Sequence, residues 1–294
     1  MNPSACQPPE WMTTTISWSG WLAQARQRLA AVSDTPLQEA QVILGHVLGQ
    51  PRASLLARPE TGLTAGQAQR LDDLLARRAA GEPLPYLIGH WEFYGLDFRV
   101  TPDVLVPRPE TELLVELALD WLRLHPARRR VADVGTGSGC IAAAVALHAP
   151  QVRLLAVDRS LRALRVAREN FRRHAVLGQV TLAQMDLLSA AAGPLDLICA
   201  NLPYIPSATL EGLDVARYEP RVALDGGADG LDLVRRLLAS APRLVAQGGL
   251  LLLEVEAGHG DSAPALARAL LSRAAVELLP DMAGKPRLLR IQYD

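Results

Sequence analysis

The residues best equipped for chemistry stand in a row, Asn201-Leu202-Pro203-Tyr204, directly after an apolar run over 195–200 that reads as a strand. An asparagine at a strand's carboxyl end presents an amide oxygen as acceptor. The main-chain carbonyl of Leu202 presents a second, for which no side chain is needed. Pro203 stiffens the turn, and Tyr204 offers a flat ring. Two acceptors and a ring suit a planar NH2 group: each acceptor takes one hydrogen, and the nitrogen faces a methyl donor. A polar turn with a packed tyrosine would use the same residues, so the meaning of the four depends on what precedes them.

Three nucleoside-type signals precede them, in order. The strand over 131–134 runs into Gly135-Thr136-Gly137-Ser138-Gly139, a turn whose glycines let the backbone bend sharply and approach a ligand. The dinucleotide fingerprint needs its third glycine one place later, where Cys140 stands, so a nicotinamide cofactor is disfavoured. A second strand, 152–157, ends at Asp158. An acidic residue about 20 positions after such a turn is placed to accept from both ribose hydroxyls, and it could also cap the next helix. A third strand, 180–182, is followed by Asp186 and Leu187. Asp186 could accept from an adenine amino group and Leu187 could pack on the ring, although a turn aspartate is an equally good reading of that pair alone.

These turns need a scaffold. From about residue 130 apolar strands and helices alternate, with further strands over 250–253, 276–279 and 288–291. Such alternation predicts an α/β fold with a mostly parallel sheet covered on both faces, and ligands bind beyond its strands' carboxyl ends where the strand order reverses. Before it, residues 13–85 read as a small helical domain. Trp18, Leu22, Ala25, Leu29 and Val32 make one apolar face, Thr35-Pro36 starts a helix that Gly49 stops, and Thr64 with Gln67 makes a capping box for a helix closed by Gly81. Residues 86–106 carry Tyr86, Trp91, Phe93, Tyr94, Phe98 and Val100 and read as a β-hairpin linking that domain to the domain over 107–294, where a helix starts near Thr111.

Composition narrows the classes. The chain has 294 residues, 49% hydrophobic, with a formal net charge of -1. That does not suggest a basic nucleic-acid-binding face, and no direct nucleic-acid partner is expected. Arg128-Arg129-Arg130 reads as a solvated turn before a strand. Cys6, Cys140 and Cys199 follow no metal or redox spacing, and the histidines are scattered, so no metal is expected. No segment is apolar for long enough to span a membrane, no signal peptide is visible, and residues 1–12 look disordered, with Met12 an alternative start. A cytoplasmic monomer without a membrane partner is expected.

The sequence resembles the family of Asn-Pro-Pro-Tyr methyltransferases and, within it, the peptide-chain-release-factor glutamine N5-methyltransferases. The resemblance spans nearly the whole chain. Beyond the clamp and the glycines it rests on Pro85-Tyr86-Leu-Ile-Gly89, on Val104-Leu-Val-Pro107-Arg-Pro-Glu110-Thr-Glu112, and on Tyr218-Glu-Pro220-Arg-Val-Ala-Leu224-Asp-Gly-Gly227. Leu202 departs from it, standing where the family has proline. Its carbonyl still accepts, but the rigidity of a ring is lost. Glu254-Val-Glu256-Ala-Gly258-His-Gly260 follows the family only loosely and receives no role.

The resemblance implies a seven-stranded Rossmann-like sheet, S-adenosylmethionine as cofactor, and a substrate glutamine in the Gly-Gly-Gln motif of class I release factors. The helical domain would dock the factor. Gly135, Thr136, Gly137, Ser138 and Gly139 would hold the methionine part of the cofactor, Asp158 its ribose, and Asp186 and Leu187 its adenine. Asn201, Leu202, Pro203 and Tyr204 would hold the reacting amide. Three other readings stay open. A ribosomal-protein glutamine is one target; an adenine N6 of DNA or RNA, flipped out of its stack, is another. The third is a nucleoside-binding module without catalysis. No carboxylate base is visible in the clamp.

Overall fold

The computed structural model describes residues 16–293. The expectations placed on residues 1–12, on Cys6 and on Met12 lie outside that range. The chain divides in sequence between Ile88 and Gly89 into two compact units.

The first unit is helical: α1 (Trp18–Leu29), α2 (Pro36–Leu48), α3 (Arg52–Ala57), α4 (Ala65–Ala79) and α5 (Leu84–Ile88). Ser17 caps α1 by accepting from the Gly20 amide. Trp18, Trp21, Ala25 and Leu29 form its buried face. That face is turned from the expected one: Trp21 rather than Leu22 is buried, and Val32, past the helix end, is exposed. Thr35 makes no side-chain cap for α2, but Pro36 opens it and Gly49 closes it. The Thr64/Gln67 capping box is present at α4, with both reciprocal bonds formed. Arg78 reaches from α4 to Glu39 on α2 at 2.7 and 3.0 Å, a bidentate pair that fixes the two helices. Tyr86 is not in a strand but in α5: Pro83 immediately precedes the helix and Pro85 falls in its first turn, where missing amide hydrogens cost nothing.

The second unit opens with a hairpin, β1 (His90–Phe93) and β2 (Leu96–Arg99). Tyr94 and Gly95 both have positive φ, as a two-residue type I′ turn requires. Then come α6 (Glu112–Leu124), β3 (Arg130–Val134), α7 (Cys140–His148), β4 (Arg153–Asp158), α8 (Leu161–Arg173), β5 (Val180–Gln184), β6 (Leu195–Ala200), α9 (Ser207–Leu210), α10 (Asp232–Leu244), β7 (Val245–Glu254), α11 (Ser262–Leu270), β8 (Ala274–Pro280) and β9 (Pro286–Tyr293). Seven strands form one sheet in the order β5-β4-β3-β6-β7-β9-β8. All the pairings are parallel except those of β9, which is antiparallel to both neighbours. The order reverses between β3 and β6, so the crevice belongs at the carboxyl ends of those two strands.

Both faces of the sheet are covered, and the pleat sorts the side chains. Along β7, Leu250 and Leu252 join the core beneath α6 and α7, while Leu251 and Leu253 join the core beneath α10 and α11. Strands buried on both sides read as continuous apolar runs, which is why these were visible in the sequence. The hairpin packs on the first core through Phe93 and Phe98.

Asn170 of α8 is fully buried and stitches three segments together. Its Oδ1 accepts from the Arg99 amide at 2.8 Å. Its Nδ2 donates to the Arg99 carbonyl at 3.0 Å and to the Ser138 carbonyl, in the Gly-rich turn, at 2.8 Å. Asn170→Ala would leave the buried Ser138 carbonyl and the part-buried Arg99 amide and carbonyl without their partner, and should lower unfolding stability by roughly 2–3 kcal/mol. Urea denaturation of the variant checks this, and a change within error of wild type would contradict it.

Candidate active site

The sequence-predicted residues come together at one crevice, where the carboxyl ends of β3, β4, β5 and β6 meet. A cavity is lined there by Gly135, Thr136, Gly137, Ser138, Asp158, Asp186, Leu187, Asn201, Leu202 and Pro203, among others. Gly139 is set just behind it. Gly139 has φ +82°, and a Cβ there would lie 2.7 Å from the Phe171 ring, so the turn and α8 pack as closely as backbone allows.

Two carboxylates shape the glycine end. Asp158, at the tip of β4, accepts from the Gly137 amide at 3.0 Å and from the Ser160 amide at 2.8 Å. Burial raises its pKa while these bonds oppose the rise. It is not the cap of α8: Ser160 is, accepting from the Ala163 amide. Asp133, one strand over, was not among the expected site residues. It is buried, accepts from Thr136 Oγ1 at 2.6 Å through Oδ2, and leaves Oδ1 buried without a partner. Burial pushes its pKa up to about 7. At the opposite end, Leu187 sits at φ +50°, a strained backbone for a leucine. Asp186 is exposed and ion-paired with Arg236 at 2.5 Å.

Asn201, Leu202 and Pro203 form a wall shared with a second cavity, also lined by Leu105, Arg108, Tyr204, Ile205, Val215, Ala223 and Leu224. Asn201 Nδ2 donates to Thr111 Oγ1 at 3.0 Å, and Thr111 Oγ1 donates to Glu254 Oε2 at 2.6 Å. Glu254 ends β7 and is buried. Burial pushes its pKa up to about 7, against the Thr111 bond and the charge of Arg287. Leu202 is buried and packs against Gly135, so the residue that departs from the family's proline fills the space between clamp and glycine turn. Burial, with Glu254 nearby, pushes the Tyr204 phenol up to about 12, so the ring is neutral.

The block at 218–227 supports this wall. Buried Glu219 accepts from the Val106 amide at 3.1 Å and pairs with Arg108, holding the segment above the cavities. Ile205 exchanges backbone bonds with Leu224 and Gly226, and the Ser207 amide donates to the Gly227 carbonyl at 2.8 Å. Gly230, at φ +78°, passes so close that a Cβ would lie 2.3 Å from the Tyr204 carbonyl oxygen and 2.8 Å from the ring of His259. His259 is buried and its Nε2 meets the Asp229 carbonyl at 3.0 Å. Thr111, Glu219, Glu254 and His259 were thus quoted within sequence blocks but given no function. Their signal was the density of specific residues in those blocks, which names no partner.

The protein-family comparison matches residues 20–89 to the model described as PrmC N-terminal domain and residues 110–215 to the model described as Methyltransferase small domain. A curated relative, "Release factor glutamine methyltransferase" of Moorella thermoacetica, is 47% identical over 270 residues, covering 90% of this chain and 95% of its own. A relative of the same name from Nitratidesulfovibrio vulgaris is 39% identical over 98% of this chain and 97% of its own. Among solved structures, the hMettl16 catalytic domain in complex with MAT2A 3′UTR hairpin 1 superposes with a TM-score of 0.52 at 14% identity, covering 94% of this chain and 91% of that one. That is a likeness of fold.

Asp133 gives the site a pH signature. The unfolded carboxyl ionises near 3.8, whereas the folded one holds its proton to about 7. Its contribution to stability is therefore full below pH 4 and is lost as pH rises through 7. Asp133→Asn keeps an acceptor for Thr136 without the charge. Relative to wild type it should gain roughly 2–3 kcal/mol between pH 5 and pH 8, at about 1.4 kcal/mol per unit. Parallel denaturant curves at both pH values test this. An unchanged difference would show that Asp133 ionises in the folded state much as it does in water.

Proposed function

This chain belongs to the family of release factor glutamine methyltransferases, and we propose that it methylates the side-chain amide nitrogen of the glutamine in the Gly-Gly-Gln motif of class I release factors, in support of translation termination. The observation that carries this reading is the shared wall. Asn201 turns its NH2 inward to Thr111, which leaves Oδ1 as an acceptor between the two cavities. A glutamine amide entering the second cavity would donate one hydrogen to Asn201 Oδ1 and the other to the Leu202 carbonyl, with Tyr204 beside it.

The cavity at the glycine turn suits S-adenosylmethionine. A carboxylate at the tip of β4 and a close-packed glycine turn, where a Cβ on Gly139 would meet Phe171, fit an amino-acid moiety followed by a ribose. When bound, this cofactor supplies an electrophilic methyl group on a sulfonium. Gly135, Thr136, Gly137, Ser138 and Gly139 would hold its methionine part, Asp158 its ribose, and Asp186 with Leu187 its adenine. The protein's contribution is placement. An amide nitrogen is a poor nucleophile, because its lone pair is delocalised into the carbonyl. Holding it in line at near-attack distance is the largest effect available here, worth roughly 7–11 kcal/mol in well-oriented systems. The two acceptors also stabilise positive charge as it develops on nitrogen.

Labelling with radioactive S-adenosylmethionine tests the proposal. Label should enter unmethylated release factor and should be absent when the glutamine of its motif is changed to alanine. Label on both would move the target residue, and label on neither would overturn the activity. Asn201→Ala should lower turnover roughly 100- to 1,000-fold, with the calorimetric affinity for the cofactor kept within a few-fold. Equal loss of binding would make Asn201 a cofactor ligand instead.

A further inference from the structure

Asn201 works as an acceptor only if its carboxamide faces the right way, and nothing in the side chain itself decides that. Oxygen and NH2 are nearly equal in size, and the two orientations differ by a half-turn about the last bond. In the protein the decision is made by a hydroxyl. Thr111 Oγ1 lies 3.0 Å from Asn201 Nδ2 and 2.6 Å from Glu254 Oε2. A hydroxyl has one proton to give. If it goes to Glu254, the hydroxyl's lone pairs face Asn201 and only the NH2 group satisfies them. Were the carboxamide reversed, Oδ1 would meet those lone pairs. With Glu254 ionised, relief would require Thr111 to turn its proton away from it, leaving a buried carboxylate oxygen unpartnered, the costliest place for it.

We propose that Thr111 and Glu254 are positioning residues for methyl transfer, a two-step hydrogen-bond relay that fixes the polarity of the Asn201 carboxamide and so aims its oxygen at the acceptor amide. The inference rests on the reading of Asn201 as the amide-binding residue. Neither Thr111 nor Glu254 needs to touch substrate. Glu254 closes β7, the strand beside the clamp's own strand, and Thr111 opens α6, which packs across both. The relay therefore ties the clamp to two rigid elements, and Thr111 is itself buried. Glu254→Gln tests the polarity: a glutamine can offer Thr111 an N–H as readily as an oxygen, which frees the threonine proton to recruit Asn201 Oδ1 inward.

The experiment compares wild type, Thr111→Val, Thr111→Ser and Glu254→Gln as full-length proteins, with release factor as substrate and calorimetry of S-adenosylmethionine binding. Thr111→Val keeps the shape and removes the hydroxyl. It should lower kcat about 10- to 100-fold, with the KM for release factor and the cofactor Kd each within about threefold of wild type. Thr111→Ser should recover most of the lost rate, and Glu254→Gln should fall between the two. A Thr111→Val kcat within twofold of wild type would overturn the relay. So would a Thr111→Ser variant as slow as Thr111→Val, or a loss expressed equally in cofactor binding, since a merely structural role predicts those results. A wild type that fails to label release factor at all would overturn the activity reading, and the relay with it, through a different observation.

Discussion

Asn201 donates inward to Thr111, at the end of a central parallel strand, and a primary amide acceptor cannot be presented to solvent by a loop with the same definition. Loops sample many orientations, whereas a group seated on the last residue after a buried strand inherits the strand's rigidity. The requirement propagates outward. β6 must lie between β3 and β7 for the clamp to sit beside both the glycine turn and Glu254, and this holds only where the strand order reverses. The apolar runs along β3, β6 and β7 serve that placement as much as they serve stability.

Burial of charge is the cost accepted for this arrangement. Asp133 and Glu254 are each held in a nearly dry environment that favours their neutral forms. Each is kept by a single threonine hydroxyl, Thr136 in one case and Thr111 in the other. Buried polar networks of this kind contribute more to uniqueness than to net stability. The remainder of the unit compensates through apolar packing on both faces of the sheet.

Much of this was legible in the residues, and the parts that were not share a cause. The central strands β3, β4, β6 and β7 stand out because strands buried on both faces cannot alternate. β7 was read only from Leu250, since Gln247-Gly248-Gly249 looks like a turn. In the protein the strand starts at Val245 and passes through those glycines at a register shift against β6. Tyr86 shares its aromatic character with the hairpin but stands in α5, since a proline before a helix and another in its first turn are both tolerated. Asn201 and its neighbours were visible because their chemistry is contained in four consecutive residues. Thr111 and Glu254 were not, because their meaning is a distance of 2.6 Å across 143 positions of sequence, and no local pattern encodes it. The same holds for Asn170, whose three bonds join a hairpin to a glycine turn.

The strap that passes beneath Pro203 and Tyr204 has a temporal side. Glu219, Gly226, Gly230, Glu254 and His259 all follow the clamp in the chain, and each of them braces or orients it. A ribosome extends the polypeptide from its amino end, so the glycine turn and the clamp leave the exit tunnel before these downstream supports. A nascent chain that ends before Glu254 would own every residue of its reaction centre and still lack the geometry to run it. The site is complete only once β7, which carries Glu254, is in place beside the clamp's strand.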